Sequence, residues 1–189
     1  MIEGTDNKRL FFALSLPDAV RESVAALAEP FHGVSWVRRD QLHVTVRFLG
    51  DVATERIEGM CARVGAIRVE PFLLPIETVG SFPPKRPPRV IWVGTGAGHP
   101  RLFQLRQRLD DALIGAGIDF DVRRFQPHIT VARCTENSAP GVAQWLHRHR
   151  DFAAPPFRVE AFELYSSVLR EGGAEHTLIR RFALASADG

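Results

Sequence analysis

The chain has 189 residues, 45% hydrophobic and 24% charged, the balance of a globular domain able to bury a core without disulfides or a structural metal. Its formal net charge of +2 excludes a general nucleic-acid coat, and the arginine excess (Lys8 and Lys85 are its lysines) accompanies an Ala-, Gly- and Pro-rich composition. No apolar run approaches the roughly 20 residues of a membrane helix, the start MIEGTDNKRL has no apolar signal core, and the distant Cys61 and Cys134 read as reduced thiols of a cytoplasmic protein.

Residues 9–16 read as an apolar strand stopped by Pro17, and a helix follows with Asp18 as N-cap, Val20, Val24 and Leu27 on one face, and Gly33 closing it. Residues 36–37 suggest a short strand. Residues 42–49 (LHVTVRFL) alternate until the turn signal Gly50-Asp51, and Thr54 fits the cap of a second helix reaching about Ile67. Apolar strands at 72–79 and 89–93 flank the proline-rich 81–88, an extended loop with Lys85 and Arg86 in solvent. A third helix fits 100–113, with Leu102, Leu105, Leu109 and Leu113 in register. A strand at 127–132, a short helix at 142–148 and strands at 157–168 and 177–184 complete the order, which is α+β rather than doubly wound.

The chemistry lies in a repeated tetrapeptide. His43-Val44-Thr45-Val46 and His128-Ile129-Thr130-Val131 each sit in a strand, one in each half of the chain. Side chains alternate along a strand, so each copy puts an imidazole and a hydroxyl on one face and two aliphatic groups on the other. Two such faces across a cleft would supply a base for an attacking water and an acid for a departing alkoxide, on opposite sides of phosphorus. The threonine hydroxyls and a nearby arginine would hold the non-bridging oxygens. One copy alone is a weak signal, because polar and apolar residues alternate in any half-exposed strand; the pairing is what points to a site.

These residues, with RLFFALSLP, QLHVTVRFLGDV, VGSFPPKRPPRVIWVG, RRFQPHITVARC and the closing FELYSSVLREGGAEHTLIRRFAL, resemble the 2H phosphoesterases. Within them the likeness is to the bacterial and archaeal RNA 2′,3′-cyclic phosphodiesterases, also called 2′-5′ RNA ligases. The resemblance implies a single bilobal domain over 1–189, its two pseudo-symmetric halves lining a central cleft with antiparallel sheets and keeping helices outside. It implies metal-independent, cofactor-free opening of a terminal 2′,3′-cyclic phosphate to a 2′-phosphate, and by reversibility the joining of such an end to a 5′-hydroxyl. The implied partners are RNA 3′ ends, tRNA fragments among them, met by a cytoplasmic monomer with no membrane contact. His43 and His128 are the implied catalytic pair, His128 as base and His43 as acid; Thr45, Thr130 and Arg133 are the implied substrate-binding residues.

Strict alternation places Arg133 on the face opposite His128, so a bulge or the strand's end must turn it into the cleft. Arg47, by the same parity, shares the face of His43 and Thr45 and could reach phosphate. Phe48 and Trp36 are read as core packing, with base stacking as the other reading. His176 is read as a solvated strand-edge residue, His147 and His149 as a basic helix face, and His32 and His99 as exposed turn residues. The glycines of 94–98 (GTGAG) lack the dinucleotide pattern and the P-loop lysine and are read as a connection. Two other functions remain open at this stage: an idle module gripping RNA ends, and a phosphodiesterase acting on small cyclic phosphates.

Overall fold

The computed structural model describes residues 6–84, 87–120, 124–135, 138–170 and 173–186. Among them run β1 (Asn7–Ser15), α1 (Asp18–Ala25), β2 (Val34–Trp36), β3 (His43–Ala53), α2 (Ile57–Val64), β4 (Phe72–Glu77), β5 (Val79–Phe82), β6 (Val90–Gly94), α3 (Pro100–Gly115), β7 (His128–Cys134), α4 (Ala139–Arg148), β8 (Ala153–Val159), β9 (Ala161–Arg170) and β10 (Gly173–Ala183).

The main sheet is antiparallel throughout, in the order β10-β9-β1-β3-β7-β6-β5, with β2 also paired to β7. Strands β4 and β8 form a separate antiparallel ribbon. The sheet is two half-sheets in effect, because β3 and β7 are registered through a single pair, Val44 opposite Ile129. The α+β class with antiparallel sheets is therefore the one observed.

One core lies under a single face of this sheet. Leu10, Phe12 and Leu14 of β1, Val44 and Val46 of β3, and Ile129 and Val131 of β7 are buried there against Leu102, Leu105, Leu109 and Leu113 of α3. The leucine spacing makes α3 amphipathic, and His99 caps it by accepting from the Arg101 N–H at 3.2 Å. Trp145 of α4 is wholly buried and donates its indole N–H to the Leu27 carbonyl at 3.0 Å, tying α4 to the end of α1. The opposite face of the sheet is left open to form the cleft.

Several expectations are corrected. Helix α1 ends at Ala25 rather than at Gly33; Pro30 bars the residue before it from helical conformation. Thr54 opens a 3-10 turn rather than capping α2, and spends its hydroxyl on the Asp6 carbonyl at 2.7 Å. The strand expected over 72–79 divides at Thr78, whose φ of 66° turns the chain from the ribbon into the main sheet. Ser81 and Phe82 consequently belong to β5 instead of a loop. The strand expected over 157–168 also divides, β8 closing the ribbon and β9 entering the main sheet. Lys85 and Arg86 lie outside the described residues.

Candidate active site

The Val44–Ile129 register runs the two tetrapeptides antiparallel to each other at the middle of the sheet. His43, Thr45, His128 and Thr130 are half-buried, whereas Val44, Val46, Ile129 and Val131 are buried in the core. The two motifs thus turn their polar residues to the open face, with the register setting His43 toward Thr130 and His128 toward Thr45. A cleft of about 330 Å³ on that face is lined by His43, Thr45, Thr130 and Arg133 together with Arg9, Phe48 and His176. His128 faces an adjoining cavity.

Each ring is held the same way. The Nδ1 of His43 lies 2.7 Å from the carbonyl of Gln41, and that of His128 lies 2.7 Å from the carbonyl of Gln126. A carbonyl only accepts, so Nδ1 carries the proton in both neutral rings and Nε2 is left for chemistry. His43 Nε2 accepts from the Thr45 hydroxyl at 3.0 Å. The glutamines two residues ahead of each histidine extend the repeat to Gln-x-His-x-Thr-Val, a signal present in the sequence that the shorter motif leaves out.

Burial disfavours charge on both imidazoles. His43 is lowered from its ordinary value of 6.5 to about 4, mainly by desolvation and further by the neighbouring His176 and His128, against the opposing hydrogen bond to Gln41. His128 is lowered as well, again chiefly by desolvation. An anionic phosphate in the cleft would reverse this by favouring the charged rings.

The two strands share a second device. In β3 Phe12 pairs with Arg47 and Ala13 with Thr45, so Val46 is an extra residue. In β7 Ile91 pairs with Ala132 and Trp92 with Thr130, so Val131 is extra in the same place. Such a bulge inverts the parity of everything after it. Arg133 is thereby turned into the cleft. Arg47 is turned out of it, which corrects its expected place: it is 4% exposed, its Nε donates to Asp110 of α3 at 2.7 Å, and its guanidinium covers the Phe120 ring at 4.1 Å. Arg106 also donates to Asp110, with Nε at 3.1 Å from each carboxylate oxygen, and to the Val46 carbonyl that the bulge removes from the ladder.

Phe48 takes the position equivalent to Arg133, three residues past its threonine. It is not core: it stands 42% exposed in the cleft, with Arg9 over its ring at 4.9 Å. Trp36 is half-buried against Phe31 and Trp145 with its N–H on the Glu29 carbonyl at 2.6 Å, so packing is its role and one edge of it borders the cleft. His176 sits on edge strand β10 but is half-buried in the cleft wall, its ring 5.2 Å from His43 and 4.8 Å from Phe11, rather than solvated. His149 pairs with Glu29 at 2.8 Å while His147 is exposed, and His99 is a helix cap stacked on Phe72 rather than an exposed turn residue.

Comparison with known proteins also finds a repeat, one copy for each histidine motif. The model of the LigT-like phosphoesterase family matches twice, over residues 14–92 and 93–174. An RNA 2′,3′-cyclic phosphodiesterase of Escherichia coli is 30% identical over 186 residues, spanning 95% of this chain and 98% of its own length. One of Thermus thermophilus is 32% identical over 194 residues, spanning 96% and 92%. The crystal structure of E. coli LigT complexed with 3′-AMP superposes with a TM-score of 0.78 at 29% identity, covering 95% of this chain and 99% of that one. With two family matches that together span most of the chain and each hold one of the twin histidine strands, β3 and β7, the chain belongs to the LigT-like phosphoesterase family.

Proposed function

We propose that this chain opens terminal 2′,3′-cyclic phosphates on RNA to 2′-phosphates, without a metal ion. The antiparallel pairing of the two motifs carries the reading, since it sets both histidines on the open face of neighbouring strands, each with Nδ1 on a backbone carbonyl and Nε2 left for chemistry. His128 Nε2 takes a proton from water as its oxygen bonds to phosphorus. The P–O3′ bond breaks, and a protonated His43 gives its proton to O3′. Thr45, Thr130 and Arg133 bind the non-bridging oxygens and neutralise the charge that grows there. The names of the E. coli and T. thermophilus relatives support the substrate class. The unit acting is the whole bilobal domain over 1–189, as a cytoplasmic monomer on RNA ends such as tRNA fragments.

The direct test is incubation in excess EDTA with an oligonucleotide ending in a 2′,3′-cyclic phosphate, products being resolved by end group. Conversion to a 2′-phosphate is expected. Retained RNA binding without turnover would favour an end-gripping module, and activity confined to mononucleotides would favour small cyclic phosphates.

Productive enzyme needs one charged and one neutral imidazole. Both histidines are lowered from 6.5, so above pH 7 the free enzyme holds both neutral and the productive form shrinks as pH rises. The kcat/KM profile, which reports the free enzyme, is expected to rise as pH falls from 8 to 6, and kcat to fall off at higher pH because bound phosphate favours the charged ring. A kcat/KM optimum above pH 7.5 would contradict this assignment of protons.

Phe48 offers the terminal base an exposed aromatic face, with Arg133 at the equivalent place on β7. Phe48→Ala is expected to raise KM for a purine-ended substrate about tenfold with kcat nearly kept. An unchanged KM would return Phe48 to a role in packing.

A further inference from the structure

A polar cavity of about 300 Å³ adjoins the cleft, and the chemistry described above makes no use of it. Phe11, Arg38, Gln41, His43 and His176 line both spaces and so form the partition between them. The Gln41 side chain braces that partition by donating to the Ala174 carbonyl of β10 at 2.5 Å. On one side of it the cleft runs to Thr130, Arg133 and Phe48. On the other the cavity runs to Ser15, Tyr165 and Arg21.

Helix α1 supplies the cation of this cavity. Val20 and Val24 turn into the core, and Arg21, one residue past Val20, stands at the edge of that buried face. Its Nη1 lies 3.7 Å from the exposed Asp18. Its Nε is shielded from solvent and has no acceptor among the described residues, a cost of the kind that a bound partner removes. Two carboxylates also border the cavity, and each is held by another arginine: Asp40 by Arg38 at 3.1 and 2.5 Å, and Glu175 by Arg170 at 3.3 Å. The hydroxyls of Ser15 and Tyr165 meet at 2.8 Å, and the Tyr165 ring stacks on Phe11 at 5.5 Å. Hydroxyls and a guanidinium with an open N–H suit a sugar and a phosphate.

The covalent order of a nucleotide says what lies past His43. In a 2′,3′-cyclic phosphate the O2′ side of the ribose leads through C1′ to the base. The O3′ side leads through C4′ and C5′ to the phosphate that joins the rest of the strand. With His43 on the leaving 3′-oxygen, the base falls in the cleft toward Phe48, and the strand leaves past His43, across the partition.

We propose that the polar cavity binds the phosphodiester just upstream of the terminal nucleotide, with Arg21 donating N–H groups to its non-bridging oxygens; this rests on the function proposed above and on His43 as the acid. The contact lies outside the reacting bonds and takes no part in the proton transfers. It binds substrate and transition state alike, so it acts through KM. One arginine thereby lets the enzyme prefer a strand end to a free cyclic nucleotide.

The test compares three substrates: adenosine 2′,3′-cyclic phosphate, the dinucleotide ApA ending in a 2′,3′-cyclic phosphate, and that dinucleotide with a neutral methylphosphonate between its nucleosides. On wild-type protein kcat/KM is expected to be at least about tenfold higher for the dinucleotide than for the mononucleotide. The methylphosphonate is expected to fall back to the mononucleotide level. Arg21→Ala is expected to bring the dinucleotide down to that level too, and because the ratio within one variant is read, a general loss of activity cancels. A dinucleotide opened no better than the mononucleotide, or an advantage that the methylphosphonate keeps, would overturn the subsite while leaving hydrolysis standing. An advantage that the methylphosphonate loses and Arg21→Ala keeps would overturn its placement in this cavity. Opening of the mononucleotide alone, or of none of the three, would overturn the parent function and this inference with it.

Discussion

Alanine at His43 or at His128 is expected to lower the rate of cyclic-phosphate opening by at least about a hundredfold, the usual worth of a positioned acid or base. The two losses have different causes, and the leaving group separates them. A substrate with sulfur in place of O3′ releases a thiolate, which needs no proton at neutral pH. The variant lacking the acid should therefore recover most of its rate on that substrate, and the variant lacking the base should not. With His43 as acid, His43→Ala is the variant rescued. Rescue of His128→Ala instead would exchange the two roles. The exchange has a physical basis to be tested against: His43 is the more strongly lowered ring, so in the empty cleft a single shared proton prefers His128. Near-normal activity in His128→Ala would end the two-histidine mechanism altogether.

The second large effect is expected far from the histidines, at Asp110. Its carboxylate receives Arg47 and Arg106, and Arg47 is nearly inaccessible to water. Asp110→Ala would leave two guanidinium groups side by side without their shared counter-charge. Breaking a buried pair in this way costs about 3–5 kcal/mol, read as a lowered urea midpoint at unchanged slope. The double replacement Arg47→Leu with Asp110→Leu should cost less than Asp110→Ala alone, because no buried charge is then stranded. A loss under about 1 kcal/mol for Asp110→Ala would show that water already reaches the pair. Arg106 also holds the Val46 carbonyl, so the same variant is expected to loosen the bulge and with it the placement of Phe48.

The histidine pair is legible in the sequence because its signal is local and doubled: a polar face on a short strand, written twice. The α+β order is legible for a similar reason, since the leucines of α3 and the alternation around His43 each declare a period. The destinations of Arg47, Phe48 and Arg133 are not legible by counting. Parity assumes an unbroken strand, and the bulged residues, Val46 and Val131, are indistinguishable in type from their ladder neighbours. What stabilises the first bulge is Arg106, on a helix far along the chain, and no local rule connects it to Val46. His176 is hidden by the same distance: it reads as an edge residue until β10 folds beside β9 and brings its ring against His43. Strand boundaries failed where the chain passes between the ribbon and the main sheet, at Thr78 and near Glu160, because both segments remain apolar on either side of the crossing.

The matched bulges carry a further consequence. A cleft built from two equivalent strands, each with the same histidine, threonine and kink, has no intrinsic front or back, and a phosphate could enter it either way round. Were that so, acid and base would trade places from one turnover to the next, and half of all encounters would present the wrong oxygen to the wrong ring. The third residue past each threonine breaks the tie: a flat hydrocarbon ring on one strand, Phe48, and a cation on the other, Arg133. On the proposed function one would accept a base and the other an anion, and an asymmetric nucleotide would then find a single sense of entry in a nearly symmetric frame.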